Sequence, residues 1–412
     1  MIRMPEVDLG RLQADLTALA EFRDPTRPGW TRRVFSEPYI RSRDWVAARM
    51  REAGLKVRRD LAGNLIGTMA GGGRPALVTG SHTDSVEGGG RFDGPLGVLG
   101  AIEAARCIRD SRHRLRHELR VVDFLGEEPN DFGLSCVGSR AVAGTLTAEH
   151  LVTRDPNGRT LAAALESCGA DPRRIGEAAW LAGEVRAFVE LHIEQGPVLE
   201  RAGIPLGEVS GIAGIERVVA TFKGQADHAG TTPMGARHDA LCAAADAVLA
   251  IERLASESEG GGVGTAGRIE VLPGALNVIP GHAQLWAEFR SVDGAWLDSR
   301  RRALDEAIQS AGRPRGVDAS LKVMSRTEPV ITSGEVRTAM SEAIASLGLD
   351  YVLLPSGAGH DTVQMSRLGP VGMLFVPSVG GRSHCPEELT SPEHLEAGVA
   401  ALLNTLLVLD AR

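Results

Sequence analysis

The sequence predicts an α/β protein: a mixed, largely parallel sheet sandwiched by helices, with a smaller α+β domain inserted into it. Three observations carry this. Four runs rich in Val, Leu and Phe show little polar alternation, as expected of strands buried on both faces of a sheet. Segments of helical periodicity lie between and after them. The middle of the chain switches to the order β, α, β, β, α, which suits a small sheet with helices on one face.

Taken in order, MIRMPEVDLGRLQADLTALAEF mixes charge with helical periodicity. It lacks the basic stub, apolar block and cleavage site of a leader, so a mature cytoplasmic N-terminus is expected. PALVTG (75–80) and ELRVVDFLG (118–126) are the first two buried strands, with the helix PLGVLGAIEAARCIRD between them, and VRAFVEL (185–191) is the third. RVVATFKG (217–224), DALCAAADAVLAIERLA (239–255), GRIEVL (267–272), AQLWAEFRSV (283–292) and WLDSRRRALDEAIQSAG (296–312) make up the inserted domain. It is expected over 211–326, with the larger domain at 1–210 and 327–412. SESEGGGVGTAG (256–267) reads as a flexible loop within it. VGMLFVPS (371–378) is the fourth buried strand, and Ser391 with Pro392 opens the last helix, EHLEAGVAALLNTLLVLD, by a hydroxyl cap and a proline at the first helical position.

Composition excludes several classes. At 412 residues two domains are the starting expectation. A net charge of -8 argues against a nucleic-acid partner, because phosphate binding needs a basic surface. The one basic run, RDSRHRLRHELR (109–120), reads as a solvated helix end or loop, with an anion patch as the alternative. No apolar run approaches the roughly 20 residues of a membrane span, so no membrane partner is expected. The five cysteines are odd in number and form no CxxC pair, which suggests neither a disulfide framework nor a thiolate zinc site and fits a reducing compartment. Fifty glycines exceed the usual share of about 7 % and gather in loops, as backbone turned tightly around something would require.

What those loops hold is chemically specific. TGSHTDSVEGGGRFDG places His82, Asp84, Glu87 and Asp93 after the first buried strand, Glu127 and Glu128 follow the second, His192 the third and His384 the fourth. In open α/β sheets ligands bind beyond the carboxyl ends of the strands. Imidazoles and carboxylates without thiolates suit zinc or a similar divalent ion bound for catalysis. Asp93 can bridge two such ions. Of the adjacent glutamates in GEEPN, one can bind metal while the other takes a proton from water. Each residue also has a plainer reading: His82 a turn histidine, Asp93 a helix N-cap, Glu127 and Glu128 a solvated strand end, His192 or His384 a buried, hydrogen-bonded histidine. Four coincidences at four strand ends favour the ligand reading. A phosphate loop at EGGGRFDG is disfavoured, since no GK[ST] follows.

Over essentially the whole chain, GSHTDSVEGGGRFDG, EEPNDFGLSCVGSRA, ELHIEQGPVLE, GQADHAGTTPMGARHDAL, LPGALNVIPG, SGAGHDT and GRSHCPEELT resemble, in this order, the M20-type metallohydrolases. The likeness is to their amidase, hydantoinase and carbamoylase group. It implies a zinc exopeptidase-like fold with a ferredoxin-like lid and dimerisation domain. It also implies two divalent ions, zinc foremost with manganese, cobalt or nickel as alternatives, and a homodimer formed through the inserted domain. By the same resemblance His82 and His192 each serve one metal, Asp93 bridges, Glu128 and His384 complete the pair, and Glu127 is the general base and later acid.

The substrate side follows the same likeness. His228 corresponds to a lid histidine that reaches the partner subunit's site and stabilises the oxyanion. Asn277 and Arg290 correspond to a pair gripping the substrate carboxylate, and Gln195 to a contact with the ureido or amide group. In their plainer readings Asn277 serves a turn and Arg290 is a surface strand residue. His360 and Asp361 lie on a glycine loop whose approach to the site is left open. Two departures stand out: Pro129, Asn130 and Asp131 replace a small and a basic residue, and Cys385 follows His384 where a serine is common.

The implied activity is hydrolysis of a carbamoyl or ureido C–N bond on a small carboxylate, foremost an N-carbamoyl-L-amino acid, releasing ammonia and carbon dioxide. Allantoate and 3-ureidopropionate are alternative substrates. A dipeptidase or deacylase, and a non-catalytic sensor of small acids, are the further alternatives.

Overall fold

A computed structural model describes residues 6–73, 75–257 and 261–412. Residues 1–5 of the N-terminal stretch and 258–260 of the expected loop lie outside the described residues. The strands are, in chain order, β1 Lys56–Arg59, β2 Leu65–Met69, β3 Ala76–His82, β4 Leu119–Phe124, β5 Val185–Ile193 and β6 Leu206–Ile212. They continue with β7 Gly214–Lys223, β8 Val263–Leu272, β9 His282–Ser291, β10 Asp318–Thr327, β11 Val330–Ile331, β12 Tyr351–Ser356 and β13 Val371–Val376. The chain forms two compact units, the first running to Ser210 and resuming over Thr332–Leu354 and His360–Arg412, the second comprising Gly211–Ile331 and Pro355–Gly359.

In the first unit the sheet order is β1-β2-β4-β3-β5-β13-β6. The four central strands are mutually parallel, whereas β1, β2 and β6 pair antiparallel at the margins. Those four are the runs whose lack of alternation predicted burial, and every residue of β3, β4 and β13 is buried. Parallel register aligns their carboxyl ends: His82 lies opposite Phe124, and His192 opposite Phe375.

Helices Leu9–Ala20, Pro95–Asp110, Gly334–Ser346 and Pro392–Ala411 pack their apolar faces into one core with this sheet, through Leu16, Leu99, Ile102, Met340, Val399 and Leu402 among others. Ser391 caps the last helix by accepting from the His394 amide, and proline stands at its start. The expectation that no segment approaches a membrane span needs correction here. Pro392–Ala411 is long and apolar enough by length and composition. Its apolarity serves the interior instead, since Leu395, Val399, Leu402, Leu403, Leu406 and Leu409 along it are buried. The basic run 109–120 is the end of helix Pro95–Asp110, a turn, and the start of β4, with Arg112, His113, Arg114 and Arg116 exposed.

The second unit is a four-stranded antiparallel sheet in the order β10-β7-β9-β8. Helices Ala240–Ser256 and Gly294–Gly312 share a core with it made from Val218, Phe222, Ile251, Leu285, Phe289 and Ile308. Asp239 and Asp293 each cap a helix by accepting from two backbone amides. The connectivity is βαββαβ, one strand more than the sequence pattern predicted. Strand β10 is largely exposed, so it carries little apolar signal. Strand β8 begins at Val263, inside the stretch expected to be loop.

Candidate metal centre

The carboxyl ends of the central strands bring six side chains together, His384 from the segment after β13 among them. His82 is the last residue of β3 and His192 lies near the end of β5. Glu127 and Glu128 follow β4, and Asp93 closes the glycine loop before helix Pro95–Asp110. That helix has no side-chain cap: Gly94 occupies the cap position with φ 82°, so the N-cap reading of Asp93 does not hold. A Cβ on Gly94 would sit 2.4 Å from the His82 ring, which makes glycine a steric requirement of the site.

Asp93 divides its two oxygens between two groups. Oδ1 lies 3.2 Å from Nε2 of His192 and 3.7 Å from Nε2 of His82. Oδ2 lies 3.1 Å from Nε2 of His384, whose Nε2 is in turn 3.5 Å from Glu128 Oε1. Two trios result, His82–Asp93–His192 and Asp93–Glu128–His384, the ligand atoms of each within 4.8 Å of one another. Both His82 and His192 fall in one trio, whereas the resemblance has each of them serve one metal. The parallel pairing of β3 with β5 aims the two imidazoles at the same oxygen.

The donor set fits divalent cations. Nδ1 of His82 bonds the Asp84 carbonyl (3.1 Å) and Nδ1 of His192 the Ile193 carbonyl (2.9 Å), which turns Nε2 of each ring inward. Nε2 of His192 is buried and has no hydrogen-bond partner among the described residues, although it lies 3.2 Å from Asp93 Oδ1. An orphaned ring nitrogen facing a shared carboxylate suits a metal ligand.

Electrostatics agree. Burial, reinforced by the neighbouring Glu128, Asp361 and Asp84 charges against the favourable His82, pushes Glu127 well above the usual carboxylate range. Burial and Asp93 raise Glu128 to about 7. Its hydrogen bond to Asp93 is the main reason His384 rises to about 9. Despite burial, which opposes it, Asp93 is held well below the usual range by His192, His384 and His82. Crowded carboxylates that resist ionising together are what a cation would relieve.

Asp84, which the sequence did not single out as a site residue, is the organiser of the second strand end. It is fully buried, and its two oxygens accept the backbone amides of Glu127 and Glu128 at 3.2 Å each. Its carbonyl also orients His82, so one residue sets three functional side chains. The signal was its place two residues after His82. Glu87, from the same loop, is exposed and pairs with Arg27 at 3.2 Å, away from the cluster.

Gln195 adopts φ 60° and donates from Nε2 to Asp93 Oδ2 at 2.7 Å, which places it among the ligands. His360 is buried with its ring 4.5 Å from that of His192, and Asp361 accepts from Ser139 Oγ at 2.5 Å. Cys385 belongs to neither trio. Of the departing residues, Asp131 pairs with Arg33 at 2.6 Å, and both line a cavity of about 230 Å³ with Phe35, Asn130 and Phe132.

The second unit holds His228, Asn277 and Arg290. His228 bridges to Val278, and the Ala229 amide donates to the Asn277 carbonyl at 3.0 Å, so the first two lie on adjoining segments. Nδ1 of His228 accepts from the amides of Gly230 (3.0 Å) and Thr231 (3.2 Å), which leaves the proton on Nε2. Arg290 stands on β9; Nε donates to Glu288 at 2.7 Å and Nη1 to the Gly357 carbonyl at 2.9 Å.

A parallel sheet whose strand ends present two histidine–carboxylate trios sharing one aspartate is the scaffold of a metal-dependent hydrolase. The chain belongs to the Peptidase family M20/M25/M40, which matches residues 78–408. It is 42% identical over 398 residues to the N-carbamoyl-L-amino acid amidohydrolase of Geobacillus stearothermophilus, covering 96% of this chain and 97% of that protein. It is 38% identical over 407 residues to the ureidoglycolate hydrolase of Oryza sativa subsp. japonica, covering 96% and 84%. Among solved structures, an amidase of the hydantoinase/carbamoylase family from Burkholderia multivorans superposes with a TM-score of 0.91 at 33% identity, over 99% of each chain.

Proposed function

We propose that this protein is an amidohydrolase that cleaves the carbamoyl or ureido C–N bond of a small carboxylate, foremost an N-carbamoyl-L-amino acid. Ammonia and carbon dioxide would be released. The observation that carries the reading is the Asp93 carboxylate with one oxygen turned to each trio, set beside relatives named for carbamoyl and ureido substrates. His82, Asp93 and His192 would hold one ion, and Asp93, Glu128 and His384 the other. Zinc suits this set, as do manganese, cobalt and nickel. When bound, the ions supply polarisation of the scissile carbonyl and a lowered pKa for water.

The chain's own residues do the rest. Glu127 Oε2 lies 3.7 Å from His82 Nε2, inside the ligand ring, so its carboxylate takes a proton from water and returns it to the leaving nitrogen. Its buried, proton-retaining setting suits both directions of transfer. Arg290 grips the substrate carboxylate together with Asn277, and Gln195 meets the ureido group. His228 donates from Nε2 to the developing oxyanion.

The second unit serves as lid and dimer contact in this reading, with His228 acting across to the partner subunit. Exposed Leu249 and Leu276 on that unit support an interface there. All five cysteines are free, which supports a reducing, cytoplasmic setting. The test is product release from a panel of compounds: ammonia from N-carbamoyl-L-amino acids, allantoate and 3-ureidopropionate, and free amino acids from dipeptides. Release confined to the carbamoyl and ureido compounds supports the reading; cleavage of dipeptides alone replaces it with a peptidase.

A further inference from the structure

Glu388 is almost fully buried and works on two segments at once. Its Oε1 accepts the backbone amides of Phe92 (2.8 Å) and Asp93 (3.1 Å). Its Oε2 lies 2.7 Å from Ser383 Oγ, and the same hydroxyl lies 2.8 Å from Asp93 Oδ2. A serine hydroxyl has one proton to donate, and here two carboxylate oxygens compete for it. Asp93 Oδ2 already accepts from Gln195 Nε2. A carboxylate oxygen offers two lone pairs, so the Ser383 proton decides whether the second stays available.

We propose that Glu388 is a positioning residue for the bridging carboxylate: Oε1 anchors the main chain at Asp93, and Oε2 draws the Ser383 proton away, leaving Asp93 Oδ2 free for the ion held with Glu128 and His384. The proposal rests on the two-ion reading above. It assigns to Ser383 a hydroxyl that must point away from Asp93, and to Glu388 the charge that turns it.

Glu388→Gln tests this because its orientation is forced. The amide oxygen must face the Phe92 and Asp93 amides, which places the NH2 group against Ser383 and sends the serine proton onto Asp93 Oδ2. Metal-free protein is titrated with cobalt(II), and its visible absorption and bound stoichiometry are recorded. Wild type takes two ions. Glu388→Gln is expected to weaken one of them about tenfold or more, the size typical of a lost outer contact, and to leave the other unchanged. Adding Ser383→Ala to Glu388→Gln removes the misplaced proton and restores the weakened ion, a recovery that a merely structural role for Glu388 would not give.

Ser383→Ala alone keeps both affinities, which holds the proposal to account even if Glu388→Gln fails to fold. Wild-type affinities in Glu388→Gln, equal loss of both ions, no recovery in the double variant, or loss of an ion in Ser383→Ala alone each overturn it. A wild type that takes fewer than two ions overturns the two-ion reading itself, a separate failure.

Discussion

Asp93 Oδ2 lies 3.1 Å from Nε2 of His384, while the other oxygen of the same carboxylate lies 3.2 Å from Nε2 of His192. A single side chain thus belongs to two ligand groups, one completed by His82 and His192 and the other by Glu128 and His384. Asp93→Ala is expected to lose both ions, whereas Glu128→Ala loses only the one shared with His384. Elemental analysis after dialysis distinguishes them, and equal metal content in the two variants would contradict the assignment.

Glu127 has no place in either trio. Glu127→Gln should therefore keep its metal and lose turnover, by about 10²- to 10⁴-fold for a missing general base. A variant that loses metal in step with activity would make Glu127 a ligand instead.

Metal affinity should fall with acid. His384, raised to about 9, and Glu128, raised to about 7, both bind protons that an ion must displace. As pH drops from about 9 to 7 the apparent affinity should weaken by about tenfold per unit, since one proton is displaced, and more steeply below 7 when the Glu128 carboxyl is also protonated. Titration with zinc at a series of pH values measures this; a flat profile would mean these two groups do not bind the ion.

Gly94→Ala places a methyl 2.4 Å from the His82 ring at a backbone φ of 82°. The strain and overlap should cost about 2 kcal/mol or more, seen as a lower melting temperature, and should lower metal content as His82 is pushed aside. Wild-type melting and metal content together would show that the loop yields freely.

Arg290 is held by Glu288 and the Gly357 carbonyl with N–H groups of its guanidinium still to offer. Arg290→Ala should raise KM for carboxylated substrates about tenfold or more, the worth of a charge-assisted bond. An unchanged KM would return Arg290 to the role of a strand residue paired with Glu288.

Much of this was legible in the sequence because the central strands are buried on both faces. Continuous apolar runs betrayed β3, β4, β5 and β13, and parallel pairing then required their carboxyl ends to meet, which gathers His82, Glu128 and His192. The margins carried less signal. Strand β1 is half exposed and only four residues long, and β10 shows mostly exposed side chains, so neither offers a period to read. Asp84 was named in its loop without a role, and Glu388 was not singled out, for a different reason: their work is done through backbone amides of Glu127, Glu128, Phe92 and Asp93, and such partnerships depend on tertiary contacts that spacing does not encode. That the His82 and His192 rings face one oxygen is likewise visible only in the alignment of neighbouring strands.

The most direct measurement is ammonia release from an N-carbamoyl-L-amino acid by protein stripped with a chelator and then reloaded with zinc, manganese, cobalt or nickel. Stripped protein should be inactive, and turnover should return as two ions per chain are bound. Undiminished turnover by the stripped protein would contradict the account.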